Sequence, residues 1–498
     1  MNLWDLLLVA RRRAPEAPAL QLADGSAWSH DALLAAAERR AAALRERGVG
    51  AGDRLALWAG NRVETVLAYL AAARLGAVAV PLNLAYRRQE LAHVLADAAP
   101  RLLLSEREQL PVLEEVGRDA LGGVPLVLVE ELAAAARETA APPPPARAAG
   151  DDLALLLYTS GTTGRSKGAM LTHNNLLATV TGLLAAWAWE PGDRLLLTLP
   201  IFHTHGLVVG LFTALAAGAS VRLRRRFEAE AVVAELAAGE ATLFFGVPTM
   251  YVRLVDLLRR DGGGERLRPV RLFCCGSAPL APETFAGFRA ATGHAILERY
   301  GMTETGMLLG NPYAGERLPG TVGTPLPGVS LRIVDRDGRH LPAGAEGELL
   351  VRGSNVFAGY WRDTAKTAES FAVDDGGQRW FRTGDLGRLD GASGHVTLLG
   401  RGRELILRGG FNVYPREVEE VLEAFPGVRE VAVVGRPHAE WGEVPVAFVV
   451  AEGALDEAAL LAHCAAELAR FKLPVAFRYV ETLPRNALGK VQKHLLPS

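Results

Sequence analysis

The chain has 498 residues, 49% of them hydrophobic and 22% charged, the composition of an ordinary globular protein with room for two to four domains. Lys plus Arg number 54 against 56 Asp plus Glu, a formal net charge of −2. That balance excludes a whole-protein field for nucleic acid but not a local basic pocket. The three cysteines, Cys274, Cys275 and Cys464, exclude a disulfide framework and have no metal-binding spacing, so a reducing compartment is expected.

The apolar run Leu6–Ala10 precedes Arg11–Arg13, the reverse of a signal peptide's charge order. No window reaches the roughly 18 apolar residues of a spanning helix. A cytosolic protein with no stable membrane insertion is expected. Ala-rich helical stretches then alternate with short apolar runs: Leu153–Tyr158, Arg194–Leu199, Ala241–Val247 and Arg271–Cys275. Each is bounded like a buried strand, which predicts α/β layers with a largely parallel sheet. Ligands of such sheets sit beyond the carboxyl ends of the strands. Ala140–Ala149, with prolines at Pro142–Pro145, reads as a stiff linker or a surface loop. After Gly400–Glu404 the pattern restarts, with a helix over Pro415–Ala424, strands over Val431–Gly435 and Val446–Val450, and a helix over Glu457–Arg470. About 95 residues suffice for a small α/β lid domain. The division expected is 1–402 and 403–498.

Four loops carry chemistry. Tyr158-Thr-Ser-Gly-Thr-Thr-Gly-Arg-Ser-Lys-Gly168 follows an apolar strand, and its glycines, hydroxyls and Lys167 suit a polyphosphate. It is not a Walker A loop, because Ser166 precedes Lys167 and Gly168 follows it. Glu298-Arg-Tyr-Gly-Met-Thr-Glu-Thr305 offers an aromatic face at Tyr300, a hydroxyl at Thr303 and, at Glu304, an oxygen ligand for Mg²⁺. Phe381-Arg-Thr-Gly-Asp385 places an acid on a turn, suited to a ribose diol. Pro484-Arg-Asn-Ala-Leu-Gly-Lys490 ends the chain with a lysine on a glycine turn.

In this order, with Pro200-Ile-Phe-His203, Gly276-Ser-Ala-Pro-Leu280 and Gly400–Pro415, these motifs resemble the adenylate-forming superfamily of acyl-CoA synthetases, luciferases and adenylation domains. The resemblance runs from about Asp5 to Gln492. It implies a multidomain α/β fold: a large N-terminal domain of two αβ layers plus a small β-barrel, and a small mobile α+β C-terminal domain. It implies a ligase that uses ATP, Mg²⁺ and CoA and passes through an acyl-adenylate. By similarity Thr159, Ser160, Gly161, Thr162, Thr163, Gly164 and Lys167 would hold phosphates. Gly276, Ser277, Ala278, Pro279, Tyr300, Gly301 and Met302 would frame the adenine. Thr303 would contact the α-phosphate, Glu304 the Mg²⁺, Asp385 the ribose, and Arg401 the nucleotide. Lys490 would reach the carboxylate and α-phosphate. Arg403 falls at the hinge, where relatives often carry Asp or Lys. Gly435–Glu443 resembles a loop near the CoA entrance.

The acid is addressed by His203-Thr-His205-Gly, by Arg253 early in a helix, and by Arg299 beside Tyr300. Two guanidiniums in one cavity would be costly without an anion, so a short dicarboxylate is expected. The set of His203, His205, Arg253 and Arg299 is similar to malonyl-CoA synthetases, with methylmalonate as a second candidate substrate. The alternatives are a medium- or long-chain fatty acid, were Arg253 to face solvent and Arg299 to pair locally, and loading of a carrier protein in trans. Oligomeric state is open, and no nucleic-acid partner is expected.

Overall fold

The computed structural model describes residues 1–138, 148–159, 166–408, 411–438, 441–468, 470–486 and 489–497. Most of the proline-rich stretch, 139–147, therefore lies outside the described residues. Among the described residues no helix is long and apolar enough to cross a membrane.

Two large sheets form the body. The seven-stranded sheet runs in the order Gly359–Tyr360, Lys167–Thr172, Leu153–Thr159, Val78–Pro81, Arg54–Trp58, Leu102–Ser105 and Leu126–Leu128. Its five strands from Leu153–Thr159 outward are parallel, and the first two are antiparallel additions. The nine-stranded sheet has a parallel centre made of Pro18–Leu22, Ser220–Leu223, Arg194–Leu197, Leu243–Gly246, Leu272–Cys275 and Leu297–Met302. All four apolar runs picked from the sequence are thus strands, three of them parallel neighbours. The helix Val63–Leu75 shows why the two sheets stack. Eleven of its residues are buried and its hydrophobics face every direction, so it must lie between layers rather than on a surface. One hydrophobic core joins it to both sheets and to the helix His173–Ala186.

A third, antiparallel sheet follows: Ser330–Val334, Glu346–Arg352, Arg379–Leu389 and Phe371–Val373, with Val396–Arg401 pairing the long third strand. Where the resemblance implied a small β-barrel, these strands form one five-stranded antiparallel sheet. The last sheet contains Ile406–Arg408, Phe411–Val413, Val428–His438, Gly442–Ala451 and Ala476–Tyr479. Helices Pro415–Glu423 and Glu457–Glu467 pack on it around their own core. The second helix is shorter than the expected Glu457–Arg470, because Leu468 is already extended (φ −119°, ψ 146°).

No hydrophobic cluster among the described residues spans the stretch between Leu398 and Ile406. Where the two parts meet, charge is buried instead. Glu298, 6% exposed, takes backbone N–H groups of Leu280 and Gly320 and faces Arg416 and Glu420, and burial pushes its carboxyl up to about 8. A folded-state value above the unfolded one means that the native state holds the extra proton. Stability is therefore lost as pH rises from the unfolded carboxyl range toward 8. Glu298→Gln is expected to flatten the fall in melting temperature between pH 5.5 and pH 8.5. Melting curves with the same pH slope for both proteins would rule out this origin.

Candidate active site

The Gly-rich motif is a hairpin connection. Thr159 ends one strand, Lys167 begins the next, and the two are directly paired. Ser160, Gly161, Thr162, Thr163 and Gly164 lie outside the described residues. Helix Arg88–Ala98 holds the hairpin from one side: His93 Nε2 lies 2.8 Å from the Ser166 carbonyl, and the Tyr158 hydroxyl donates to Asp97 at 2.6 Å. Lys167 Nζ sits 3.3 Å from Asp363 Oδ2 and 6.0 Å from the centre of the Tyr360 ring. The Tyr360 hydroxyl donates to Glu304 Oε1 at 3.0 Å. Glu304 is 6% exposed, and burial raises its carboxyl above the usual range. A cation beside it would offset that cost. Neither Tyr360 nor Asp363 is marked by the sequence motifs. Their order, Gly359-Tyr-Trp-Arg-Asp363, was the only local signal, an aromatic pair followed by charge at a strand end.

Strand Leu297–Met302 carries Tyr300 into the same region, and Gly301, Met302 and Thr303 are half-buried beside it. The Tyr300 hydroxyl donates to Asp385. Asp385 also pairs with Arg401 Nε at 2.8 Å, and its backbone N–H donates to Thr383 Oγ1 at 3.0 Å. Arg401 in turn donates to the Thr383 carbonyl at 3.1 Å. Burial raises the Asp385 carboxyl, against the charges of Arg401 and Lys490 and the Tyr300 bond. Lys490 is thus within electrostatic reach of Asp385 although it comes from the far end of the chain. Its neighbour Gly489 (φ 76°) lies against helix Pro248–Asp261, so close that an added Cβ would stand 3.2 Å from Thr249 Oγ1. The backbone of Arg403 lies in the turn Gly402–Glu404; its side chain is outside the description.

Gly276 and Ser277 follow strand Leu272–Cys275. Ser277 has φ 75°, a left-handed conformation that costs energy in a residue with a side chain, and its hydroxyl lies 3.3 Å from His205 Nδ1. Ala278 is half-buried and Pro279 exposed. His205 opens a π-helical segment, His205–Phe212. Gly206 is obligatory there, since a Cβ would stand 2.3 Å from the Pro200 carbonyl oxygen. Burial lowers His203 to about 4 and lowers His205 well below its ordinary value, helped by Arg299 and by His203. Both rings are neutral near pH 7.

Arg299 is 4% exposed. Its Nε and Nη2 have no hydrogen-bond partner, and neither does Nε2 of His205. Its polar contact is the Cys274 thiol, and burial drives the guanidinium below its ordinary value with no acid opposing that. Among the described residues no carboxylate lies within ion-pair distance of it. The expectation that Arg253 shares this cavity needs correction, because Arg253 is exposed. On helix Pro248–Asp261 the buried residues are Tyr251, Leu254, Val255, Leu257 and Leu258, and at 3.6 residues per turn Arg253 falls on the opposite face. It shares that face with Thr249, one turn away, and so stands outside the body, near the Lys490 loop. One guanidinium, not two, is buried.

A separate cleft of about 230 Å³, lined by Thr179, Thr181, Met307, Pro327 and Asn355 among others, contains no titratable side chain. The chemistry-bearing groups lie elsewhere, after strands of the two large sheets, on the antiparallel sheet and on the Lys490 hairpin.

The sequence model of the family described as AMP-binding enzyme matches residues 8–361, and that of the AMP-binding enzyme C-terminal domain matches 417–490. The chain is 37% identical to a sulfoacetate–CoA ligase of Cupriavidus necator, over 99% of this chain and 96% of the relative. It is 36% identical to the mitochondrial malonate–CoA ligase ACSF3 of Homo sapiens, over 89% of this chain and 82% of the relative. Its fold superposes on ATP-bound MatB from Rhodopseudomonas palustris with a TM-score of 0.92 at 41% identity, covering 99% and 98% of the two chains.

The packing of Arg299 yields a test. A Cβ on Gly276 would stand 2.5 Å from Arg299 Cζ. Gly276→Ala is therefore expected to displace the guanidinium and lower acid-dependent turnover at least about tenfold, by analogy with small misplacements of binding groups. The check is kcat/KM for the acid in a folded variant, and turnover equal to that of the unsubstituted protein would disprove the close packing.

Proposed function

The chain belongs to the AMP-binding enzyme family as an AMP-forming acid–CoA ligase, and we propose that its acid is a short one with a second anionic group, malonate first. The observation that carries this reading is Arg299, a buried guanidinium with two unpartnered nitrogens and no acid beside it. Burying an arginine is costly unless an anion meets it. A monoacid with an apolar tail would leave that cost standing, whereas a distal carboxylate or sulfonate would take both free N–H groups in a bidentate pair. His205 Nε2 would add a neutral contact.

The reacting carboxylate would then point from the acyl pocket toward the nucleotide. Tyr300 and Gly276–Pro279 frame the adenine, Asp385 and Arg401 hold the ribose side, and Thr303 lies at the α-phosphate. Thr159, Lys167 and the connection between them take the outer phosphates. Lys167 would exchange Asp363 for phosphate oxygens. His203, neutral at the mouth of the pocket, would orient the acid rather than pair with it. Glu304 fits a role in holding Mg²⁺: its carboxylate is buried, bonded by Tyr360 and, among the described residues, in no ion pair. No cluster of three or more metal-binding side chains occurs among the described residues. When bound, Mg²⁺ supplies charge neutralisation to the phosphate oxygens.

In the first half-reaction a carboxylate oxygen attacks the α-phosphorus, an O–P bond forms and diphosphate leaves with the electron pair. Two anions must approach each other, and Lys490 supplies the positive charge that makes this tolerable. In the second, the CoA thiolate attacks the acyl carbon of the mixed anhydride and AMP leaves. The unit beginning at Arg403 turns between the two steps, withdrawing Lys490 and bringing Gly409–Gly410, which lie outside the described residues, toward the thiol.

AMP release with ATP, CoA and a panel of malonate, methylmalonate, sulfoacetate, acetate, octanoate and palmitate tests the reading. The doubly anionic acids should lead acetate and octanoate by at least about tenfold in kcat/KM, the value of one good polar contact. Octanoate or palmitate in the lead would sink it. Arg299→Ala should lose at least about a hundredfold with malonate, as truncation of a buried charge pair does, while the KM for ATP barely moves. Lys490→Ala should abolish ATP–diphosphate exchange yet largely spare thioester formation from supplied acyl-adenylate. Equal loss of both steps would remove its assigned role.

A further inference from the structure

Lys490 is exposed on a hairpin whose neighbouring residues Leu483 and Val491 pack on a small hydrophobic cluster of the last sheet. Its backbone N–H donates to Asn486 Oδ1 at 3.0 Å, and the Asn486 N–H returns to its carbonyl at 2.9 Å. Arg485 and Val491 form an isolated antiparallel bridge, and the Gln492 N–H donates to the Pro484 carbonyl at 2.7 Å. These contacts shape the hairpin but do not orient it toward the nucleotide. Among the described residues, three ion pairs leave it and the residue that follows it. Arg485 Nη2 reaches Glu430 Oε2 at 3.0 Å on the flank of the last sheet. Lys493 reaches the other way, to Glu419 Oε1 at 2.6 Å on helix Pro415–Glu423 and to Glu404 Oε2 at 3.3 Å.

Glu404 matters because of where it sits. It closes the turn Gly402–Glu404, directly after the strand whose last residue, Arg401, holds Asp385. Asp385 feels the charges of Arg401, Lys490 and Glu404 together, so one small region contains the ribose-side carboxylate, the crossing point of the chain and the lysine. The Lys493 side chain is 17% exposed. Burial alone would push its ammonium down, yet Glu419 and Glu404 hold it above its ordinary range. A lysine buried only to stabilise the fold would be replaceable by an apolar side chain at little cost. One that ties a hairpin to two separate elements fixes direction as well.

We propose that Lys493 is a positioning residue for adenylate formation: by pairing with Glu404 and Glu419 it sets the Lys490 hairpin over the nucleotide site. This rests on the ligase reading above and deepens it. Lys493 touches neither nucleotide nor acid and acts through Lys490. The second half-reaction, for which Lys490 is withdrawn, does not need it.

The test separates the two steps. ATP–diphosphate exchange is measured with the panel acid that the unsubstituted enzyme uses fastest, and thioester formation is measured from the corresponding acyl-adenylate and CoA. Lys493→Met should lower exchange at least about tenfold, as ångström-scale misplacement of a charged group does. The loss should fall in kcat, not in the KM for ATP, and thioester formation should change less than about twofold. Lys493→Arg, which keeps both ion pairs within reach, should restore most of the exchange. Glu404→Gln removes the pair at the crossing point without emptying a buried site, and it should reduce exchange selectively. It decides the matter alone if Lys493→Met does not fold. Equal losses in both half-reactions, or unchanged exchange in a folded Lys493→Met and in Glu404→Gln, would overturn the proposal. An unsubstituted protein that exchanges diphosphate with no acid would refute the ligase reading itself, a result distinguishable from either.

Discussion

The carboxylate of Asp385 is the point on which the rest of the arrangement depends. It is 5% exposed and so must be compensated. Its compensation comes from three directions: the Tyr300 hydroxyl on an inner strand of the nine-stranded sheet, the Arg401 guanidinium on the next strand of the antiparallel unit, and the field of Lys490 from the end of the chain. Each partner belongs to a different structural unit. A buried charge with partners on separate bodies forces those bodies to register with one another, because losing any one leaves the charge uncompensated in a medium of low dielectric. The nucleotide-side geometry is therefore a condition of assembly, not an ornament added to a finished fold.

Around this point the protein uses two opposite electrostatic strategies. The groups proposed for the phosphates are paired with one another in the structure, Lys167 with Asp363 and Glu304 with Tyr360, so ligand binding there would exchange one satisfied contact for another. The side proposed for the acid leaves nitrogens of Arg299 and His205 unpartnered, so binding there would relieve a standing cost. Exchange favours reversible traffic of a charged co-substrate. Relief favours discrimination, because an acid that lacks the matching group leaves the penalty in place. The left-handed Ser277 and the π-helical start at His205 both border the unsatisfied pair, which is where backbone strain is expected to concentrate.

Much of this was readable from residues alone, and the reasons differ by feature. Buried strands announce themselves as short apolar runs ending in turn residues, so Leu153–Tyr158 and Arg271–Cys275 were found almost to the residue. Motifs carried by one short run, such as Lys167 beyond a strand, could be placed from residue type and order, whereas Asp385, expected on a turn, lies within strand Arg379–Leu389 and meets Tyr300 from far away in the chain. Arg253 was misplaced for another reason: proximity to a pocket-lining helix says nothing about which face the residue occupies, and the burial of Tyr251 and Leu254 puts it outside. Tyr360 and Asp363 went unseen because their partners, Glu304 and Lys167, are distant in the chain. The burial of Glu298 against Arg416 was equally invisible, being a property of two bodies meeting.

The shortness of the passage between those bodies has a geometric consequence. Arg401 is anchored to Asp385, and Glu404 to Lys493. Two residues separate them, so their Cα atoms can part by no more than about 11 Å even when fully drawn out. A unit tethered that tightly cannot slide away from its neighbour; it can only swing about the tether. Whatever range of orientations the terminal unit explores, its fulcrum stays at the ribose-side carboxylate. On the proposed assignment, nucleotide occupancy and lid angle thus share a single mechanical origin, much as the pin of a hinge belongs to both leaves.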